Sequence, residues 1–446
     1  MAQPAACNPF DPLTWPRPVA PSLPPGWVLP LKVNGAGQAA PVSASVGQTV
    51  SFSVPAGTSS LTIHHQGISA AATFDYGYPN FVAPTALKVP GGGTLFVDDF
   101  LRPVNADPRL EAVSYLSYSP WVGSFTVPQT SRLADLALSG GELPPGDWSF
   151  RVSDWNAQCV DYAAEGCMPS TPAAGTYDVT VVARPGPYVS TGTLNVGVYL
   201  AGNSAPPAAT AVTSAAYQRF AWALGQILGN GGICLGAVTF FDVPAWVPST
   251  VNVDGSPPCG DLARLFSVAS PTVDGVHLFL VDDLYSAYAG GGTLLGIDGS
   301  IPGPSGLPGA PTSGAAMLSA NIGDGSCVPG QLDVDACGSD MAGYIAAHEI
   351  GHWLGLYHTT EATGVQFDPL DPTPTCACDA CASSEERPYC GDPLSPGLVA
   401  PSRCVSGGET CGGGDNLMFW AFDPAVSKGL VTPAQGLVML VNPAVN

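Results

Sequence analysis

One stretch carries residue types at a spacing that suits metal chemistry: His348-Glu349-Ile350-Gly351-His352-Trp353-Leu354-Gly355-Leu356-Tyr357-His358. His348 and His352 are four apart, so a helix places both imidazoles on one face, one turn apart. Two neutral imidazoles so placed can bind a divalent cation from the same side. Glu349 neighbours the first ligand and is positioned to take a proton from an attacking water rather than to ligate. Gly355 has no Cβ penalty at positive φ, and a sharp turn there returns His358 as a third nitrogen. Three histidines with an open fourth position form a catalytic zinc arrangement. An ordinary amphipathic helix accounts for HExxH alone. It does not account for Gly355 and His358 as well, in a chain with six histidines.

These residues need a helix and a scaffold. Asp340 is the expected N-cap of a helix over Met341–Leu354. Ahead of it, Leu194–Leu200 reads as a buried strand. Ala215–Leu228 reads as a backing helix, with Tyr217, Phe220, Leu224 and Ile227 on one face. Further strands are expected at Ala237–Phe241 and Val276–Val281. A Gly/Pro-rich loop at Ile301–Pro311 then precedes a short apolar piece at Ala315–Leu318. After His358 the chain is rich in Pro and Cys, with little periodicity until a final short helix within Leu430–Leu440.

The first part of the chain has a different pattern. Residues 1–40 hold a run of prolines that resists helix and central strand and reads as an extended arm. From 41 to 186, apolar residues alternate with polar ones: Val50, Phe52 and Val54; Trp148, Phe150 and Val152; Tyr177, Val179 and Val181. This predicts an antiparallel β-sandwich or jelly roll. His64 and His65 fall on one of its strands, where neighbours face opposite sides, so the pair is a poor chelate and reads as structural. Arg184-Pro185-Gly186-Pro187 marks the boundary to an α/β domain over 187–446.

Composition narrows the function. The chain has 446 residues, 46% of them hydrophobic and 11% charged, with 13 basic against 35 acidic side chains. That balance argues against nucleic acid or an anionic membrane surface as partner. No run approaches the ~18 apolar residues of a membrane helix. Thirteen cysteines point to disulfides and an oxidising, extracellular compartment. The close pairs are Cys159/Cys167, Cys234/Cys259 and Cys327/Cys337. Six more crowd into Cys376, Cys378, Cys381, Cys390, Cys404 and Cys411, where disulfides compete with a structural zinc site as the reading. Cys7 is left over. Met1-Ala2-Gln3-Pro4 lacks the apolar stretch of a secretory leader, so Met1 is read as standing where a leader has been removed. Asp368, Asp371, Asp379 and Asp392 supply carboxylates for a structural calcium site. A solvated acidic loop is the alternative.

HExxHxxGxxH resembles the extended motif of the metzincin metallopeptidases. Their downstream methionine turn has its counterpart in Asp415-Asn416-Leu417-Met418, with Met418 as the turn methionine. The Asn-Leu-Met form after a cysteine-rich segment is most similar to the pappalysin-type branch. The resemblance covers roughly 193 to 446 and implies an α/β metzincin-like fold: twisted sheet, backing helix, active-site helix and Cys-rich lower subdomain. It further implies that Phe419, Trp420, Ala421, Phe422 and Asp423 wall the substrate pocket. Trp420 departs from the family pattern, since many relatives have there a tyrosine that aids the transition state. Some pappalysin-type enzymes are held latent by a pro-segment cysteine, which makes Cys7 a candidate switch.

The expected protein is thus a secreted, monomeric zinc endopeptidase acting on proteins or peptides, with Glu349 as general base. One alternative is a surface or glycan-binding β-sandwich protein whose peptidase is vestigial or self-processing. Another is a zinc amidase with a non-protein substrate.

Overall fold

The computed structural model describes residues 32–33, 36–37, 42–45, 48–70, 74–75, 78–91, 94–96, 122–128, 131–156, 175–202, 205–254, 259–286, 293–385, 387, 390, 399–405 and 411–446. The chain is mixed α/β, with several sheets and mostly strands.

Two antiparallel sheets face each other in the N-terminal part. One contains Thr49–Val54, Gly146–Asn156 and Tyr78–Lys88; the other runs Val42–Ser45, Gly175–Pro185, Thr58–Ala70, Val122–Val127. The predicted alternation is what joins them. Phe52 lies opposite Trp148 and Val50 opposite Phe150, and their side chains meet Leu61, Ile63, Val179 and Val181 from the second sheet in one core. Each fully buried large side chain contributes roughly 1.5–3 kcal/mol. The Trp148 indole N–H is satisfied by the Pro144 carbonyl at 2.8 Å.

The opposite face of strand Thr58–Ala70 is polar and yet buried: Ser60, Thr62 and His64 are each at most 5% exposed. The C-terminal half of the chain covers it. The Ser60 hydroxyl donates to Val441 O at 3.1 Å, and Arg184 donates to Leu440 O at 2.8 Å. The Ser124 hydroxyl lies 3.0 Å from both Pro302 O and Gly303 O.

The C-terminal half is built on a five-stranded sheet in the order Ile233–Asp242, Gly192–Leu200, Gly275–Val281, Ala315–Leu318, Gly296–Asp298. The first four strands are parallel, and the last is an antiparallel edge. Central parallel strands are covered on both faces, which explains the near-continuous apolar runs in Gly192–Leu200 and Gly275–Val281. Burial lowers His277 in the second run to about 4 and so keeps it neutral, and a tyrosine satisfies its ring nitrogen. Tyr199 Oη accepts from Ser270 N at 2.6 Å and lies 3.0 Å from His277 Nδ1, to which it donates.

Helix Ala215–Gly229 backs the sheet and packs on helix Gly338–Trp353. Contact is close because a Cβ on Gly343 would come within 2.7 Å of Ala223 Cβ. The site helix starts earlier than expected, with Cys337 as N-cap, so Asp340 is not the cap. Its carboxylate, fully buried, instead accepts from Arg219 Nε at 2.5 Å and from Asp333 N at 2.8 Å. A buried Arg offering two donors outcompetes the capping role, and it ties the first turn to the backing helix. The final helix spans Pro433–Leu440, with a Thr432/Gln435 capping box.

The cysteine-rich segment is disulfide-linked, through Cys376–Cys404, Cys378–Cys390 and Cys381–Cys411. Cys327–Cys337 forms as expected, just before the site helix. Cys234 and Cys259 do not pair: Cys259 is disulfide-bonded elsewhere, and Cys234 is free and exposed on its strand. Cys159 and Cys167 lie outside the described residues. Among those residues, no helix is long and apolar enough to cross a membrane.

Candidate metal centre

Helix Gly338–Trp353 carries His348, Glu349 and His352. Gly355 then takes φ +115°, a conformation that favours glycine, and the chain returns His358 to the same point. The three histidines form a group whose ligand atoms all lie within 4.8 Å of one another. Nε2 of His358 is 3.1 Å from that of His352 and 3.3 Å from that of His348.

The Nδ1 atoms decide what this cluster is. His348 Nδ1 lies 2.6 Å from Leu417 O, His352 Nδ1 2.7 Å from Leu356 O, and His358 Nδ1 3.0 Å from a Glu361 oxygen. Carbonyl and carboxylate oxygens only accept, so each Nδ1 carries the proton and each neutral ring turns a bare lone pair inward. Three converging lone pairs repel one another unless a cation lies between them. The donor set therefore fits a metal ion, and three imidazole nitrogens suit zinc. Burial and the neighbouring His358 hold His348 down to about 3, and burial likewise holds His352 well below the usual range.

Glu349 is buried beside this cluster, and burial, then Asp298, raises its carboxyl well above the ordinary value. The edge strand Gly296–Asp298 makes room for it, because a Cβ on Gly296 would collide with the Glu349 carboxylate. Asp298, two residues along, shares that face. Burial pushes it up to about 7, opposed by His358 and by the main-chain N–H groups of Ser300 and of Asp298 itself. Its Oδ2 is buried without a hydrogen-bond partner.

The Met418 turn closes the cluster from below. Asn416 Oδ1 accepts from Met418 N at 2.8 Å, a local Asx turn. The Asn416 amide also pairs with Gln435 of the last helix. Met418 is fully buried, and a Cβ on Gly351 would sit 2.6 Å from its sulfur. Tyr344 Oη, 3.2 Å from Asn416 O, ties the helix to the same turn.

The remaining expected site residues are placed as follows. Phe419 is buried in the cystine core, and the Trp420 indole donates to Val399 O at 2.7 Å, so the indole N–H is already engaged. Phe422 packs on Tyr344 at 4.9 Å, and Asp423 caps its own turn through Ala425 N and Ser427 Oγ. The acidic quartet is not brought together. Asp371 and Asp379 are exposed, Asp392 lies outside the described residues, and only Asp368 is buried. Cys7 also lies outside them, and the free thiol among the described residues is Cys234, so cysteine parity no longer singles out Cys7. Sequence reasoning passed over Glu361 and Asp298. The first had a signal in its spacing of three from His358; the second had none.

No protein-family model and no curated protein matches the chain. Solved structures similar to it include metalloproteinase-II from Bacteroides fragilis, at 17% identity over 43% of this chain and 50% of that one, with TM-score 0.24. Another is a xylanase 10C mutant from Cellvibrio japonicus in complex with xylopentaose, at 11% identity over 49% and 38%, with TM-score 0.18. The chain thus spans half the length of the first and less of the second. Neither likeness is close enough to bear on activity.

Proposed function

We propose that the chain is a secreted zinc endopeptidase of metzincin-like type, with His348, His352 and His358 holding the metal. The supporting observation is the convergence of three bare Nε2 atoms, each ring locked by an acceptor on Nδ1. A bound zinc would polarise the scissile carbonyl and acidify a water. Glu349 takes the water's proton as it attacks and passes it to the leaving nitrogen. Peptides are the proposed substrates because Gly296–Asp298 is an edge strand beside Glu349, paired among the described residues only with Ala315–Leu318; an extended chain can add to such an edge. Met418 serves as the floor of the centre, and disulfides suit an extracellular site of action.

On this reading residues 187–446 form the peptidase, 41–186 a β-sandwich that is an accessory module or a pro-domain, and 1–40 a Pro-rich arm. A structural calcium ion is proposed at Asp368. Its carboxylate and the Thr373 hydroxyl are buried, and the Thr373 side chain, Leu370 N and Gln435 all lie close to the carboxylate. The deciding experiment is casein hydrolysis by the zinc-loaded chain, abolished by a chelator and restored by zinc. A loaded protein that cleaves no peptide bond overturns the proposal.

A further inference from the structure

Besides Glu349, and Glu361 behind His358, a third carboxylate belongs to this region. Asp298 stands on the only antiparallel strand of the five-stranded sheet, and its side chain leaves the strand on the face that meets the site helix, as the Gly296–Glu349 contact defines. Main-chain N–H groups of residues 298 and 300 face its carboxylate, and it lies two residues along the same strand face from Gly296, which abuts the Glu349 carboxylate. Its Oδ2 is nevertheless buried without a partner.

A buried carboxylate oxygen with nothing to accept costs stability. The main-chain N–H groups of residues 298 and 300 account for one side of the carboxylate, and Oδ2 is left over. Such a group is retained where a ligand completes it. The charges say which ligand. Three neutral imidazoles bring none, so carboxylates must balance a divalent cation there; Glu361 is already tied to His358 Nδ1, whereas Asp298 Oδ2 has no other partner.

We infer that Asp298 is a further carboxylate of the metal centre, a positioning residue that helps balance the cation's charge beside Glu349. This rests on the proposed zinc site but predicts something the zinc site alone does not. Asp298 burdens the metal-free protein and supports the loaded one, so removing its charge has opposite effects on the two forms. A residue that merely packed the strand would shift both forms the same way.

The test compares Asp298→Asn with the parent full-length chain. Zinc affinity is measured by competition with a fluorescent chelator, and thermal midpoints are taken with and without zinc. Expected are a ~10–100-fold weaker zinc affinity, the range for lost outer partners, a metal-free midpoint equal to or above the parent's, and a loaded midpoint below it. Asp298→Ser carries the same expectation and stands in if the amide variant does not fold. Zinc affinity within twofold of the parent's, or an equal fall of both midpoints, overturns the inference and leaves the peptidase proposal intact. A parent chain that binds no zinc overturns both.

Discussion

The molecule buries two groups of histidines, and the contrast between them shows what makes a metal centre. His64 and His65 are neighbours on a strand and are at most 5% exposed. His348, His352 and His358 are spread over eleven residues and include the equally buried His352. Proton affinity does not separate the groups: burial lowers His64 to about 4 and His348 to about 3. Orientation does. On the strand the two rings diverge, and His64 turns to the Ser305 main chain across the contact between the halves. At the centre every Nδ1 is engaged by an oxygen from a different segment, so that the three Nε2 atoms meet. Burial keeps a histidine neutral; fixed acceptors behind the rings make three of them a chelate.

The largest effects should come from the converging group. His352→Ala is expected to abolish both stoichiometric zinc binding and casein cleavage, whereas His65→Ala should leave zinc binding unchanged. Retained zinc in His352→Ala would collapse the distinction. Glu349→Ala should keep its zinc and lose at least ~100-fold in kcat/KM, the cost of a missing general base. Normal turnover by that variant would remove Glu349 from the mechanism.

Glu361→Ala tests whether a fixed acceptor matters. It leaves His358 in place but frees its Nδ1, and zinc affinity should fall ~10-fold or more. An unchanged affinity in a chelator competition would mean that ring orientation is set by packing alone.

The strand pair predicts a pH effect of smaller size. His64 has a folded value of about 4 against an ordinary 6.5. Below pH 6.5 the unfolded chain therefore binds the proton first. The stability contributed by neutral His64 is complete above pH 6.5 and is lost as pH falls toward 4, on the order of 3 kcal/mol. Thermal midpoints of metal-free parent and His64→Gln should converge as pH falls from 7 to 4.5; curves that stay parallel would count against it. Smallest of all, Cys234→Ser should change stability by no more than ~0.5 kcal/mol, because the thiol is exposed and unpaired.

Much of this protein is legible in the chain because it is local. The four-residue step from His348 to His352, the turn at Gly355 and the return of His358 span eleven residues, about three helical turns in length, and local backbone geometry brings them together. Alternation at Val50, Phe52, Trp148 and Phe150 likewise states which face each strand buries. Asp340 shows where local reasoning ends. It has the chemistry of a cap, but Arg219, 121 residues away, claims its carboxylate. The same holds for cysteine pairing, where proximity in sequence was right for Cys327–Cys337 and wrong for Cys234 and Cys259. The acceptor behind His348 is Leu417 O, 69 residues on, and Asp298 reaches Glu349 only because an edge strand crosses the site helix at Gly296. Residue types and short spacings determined the ligands. The acceptors behind His352 and His358 are also local, four and three residues on, but the acceptor behind His348 and the edge strand that carries Asp298 come from distant segments, and only tertiary packing brings those segments together.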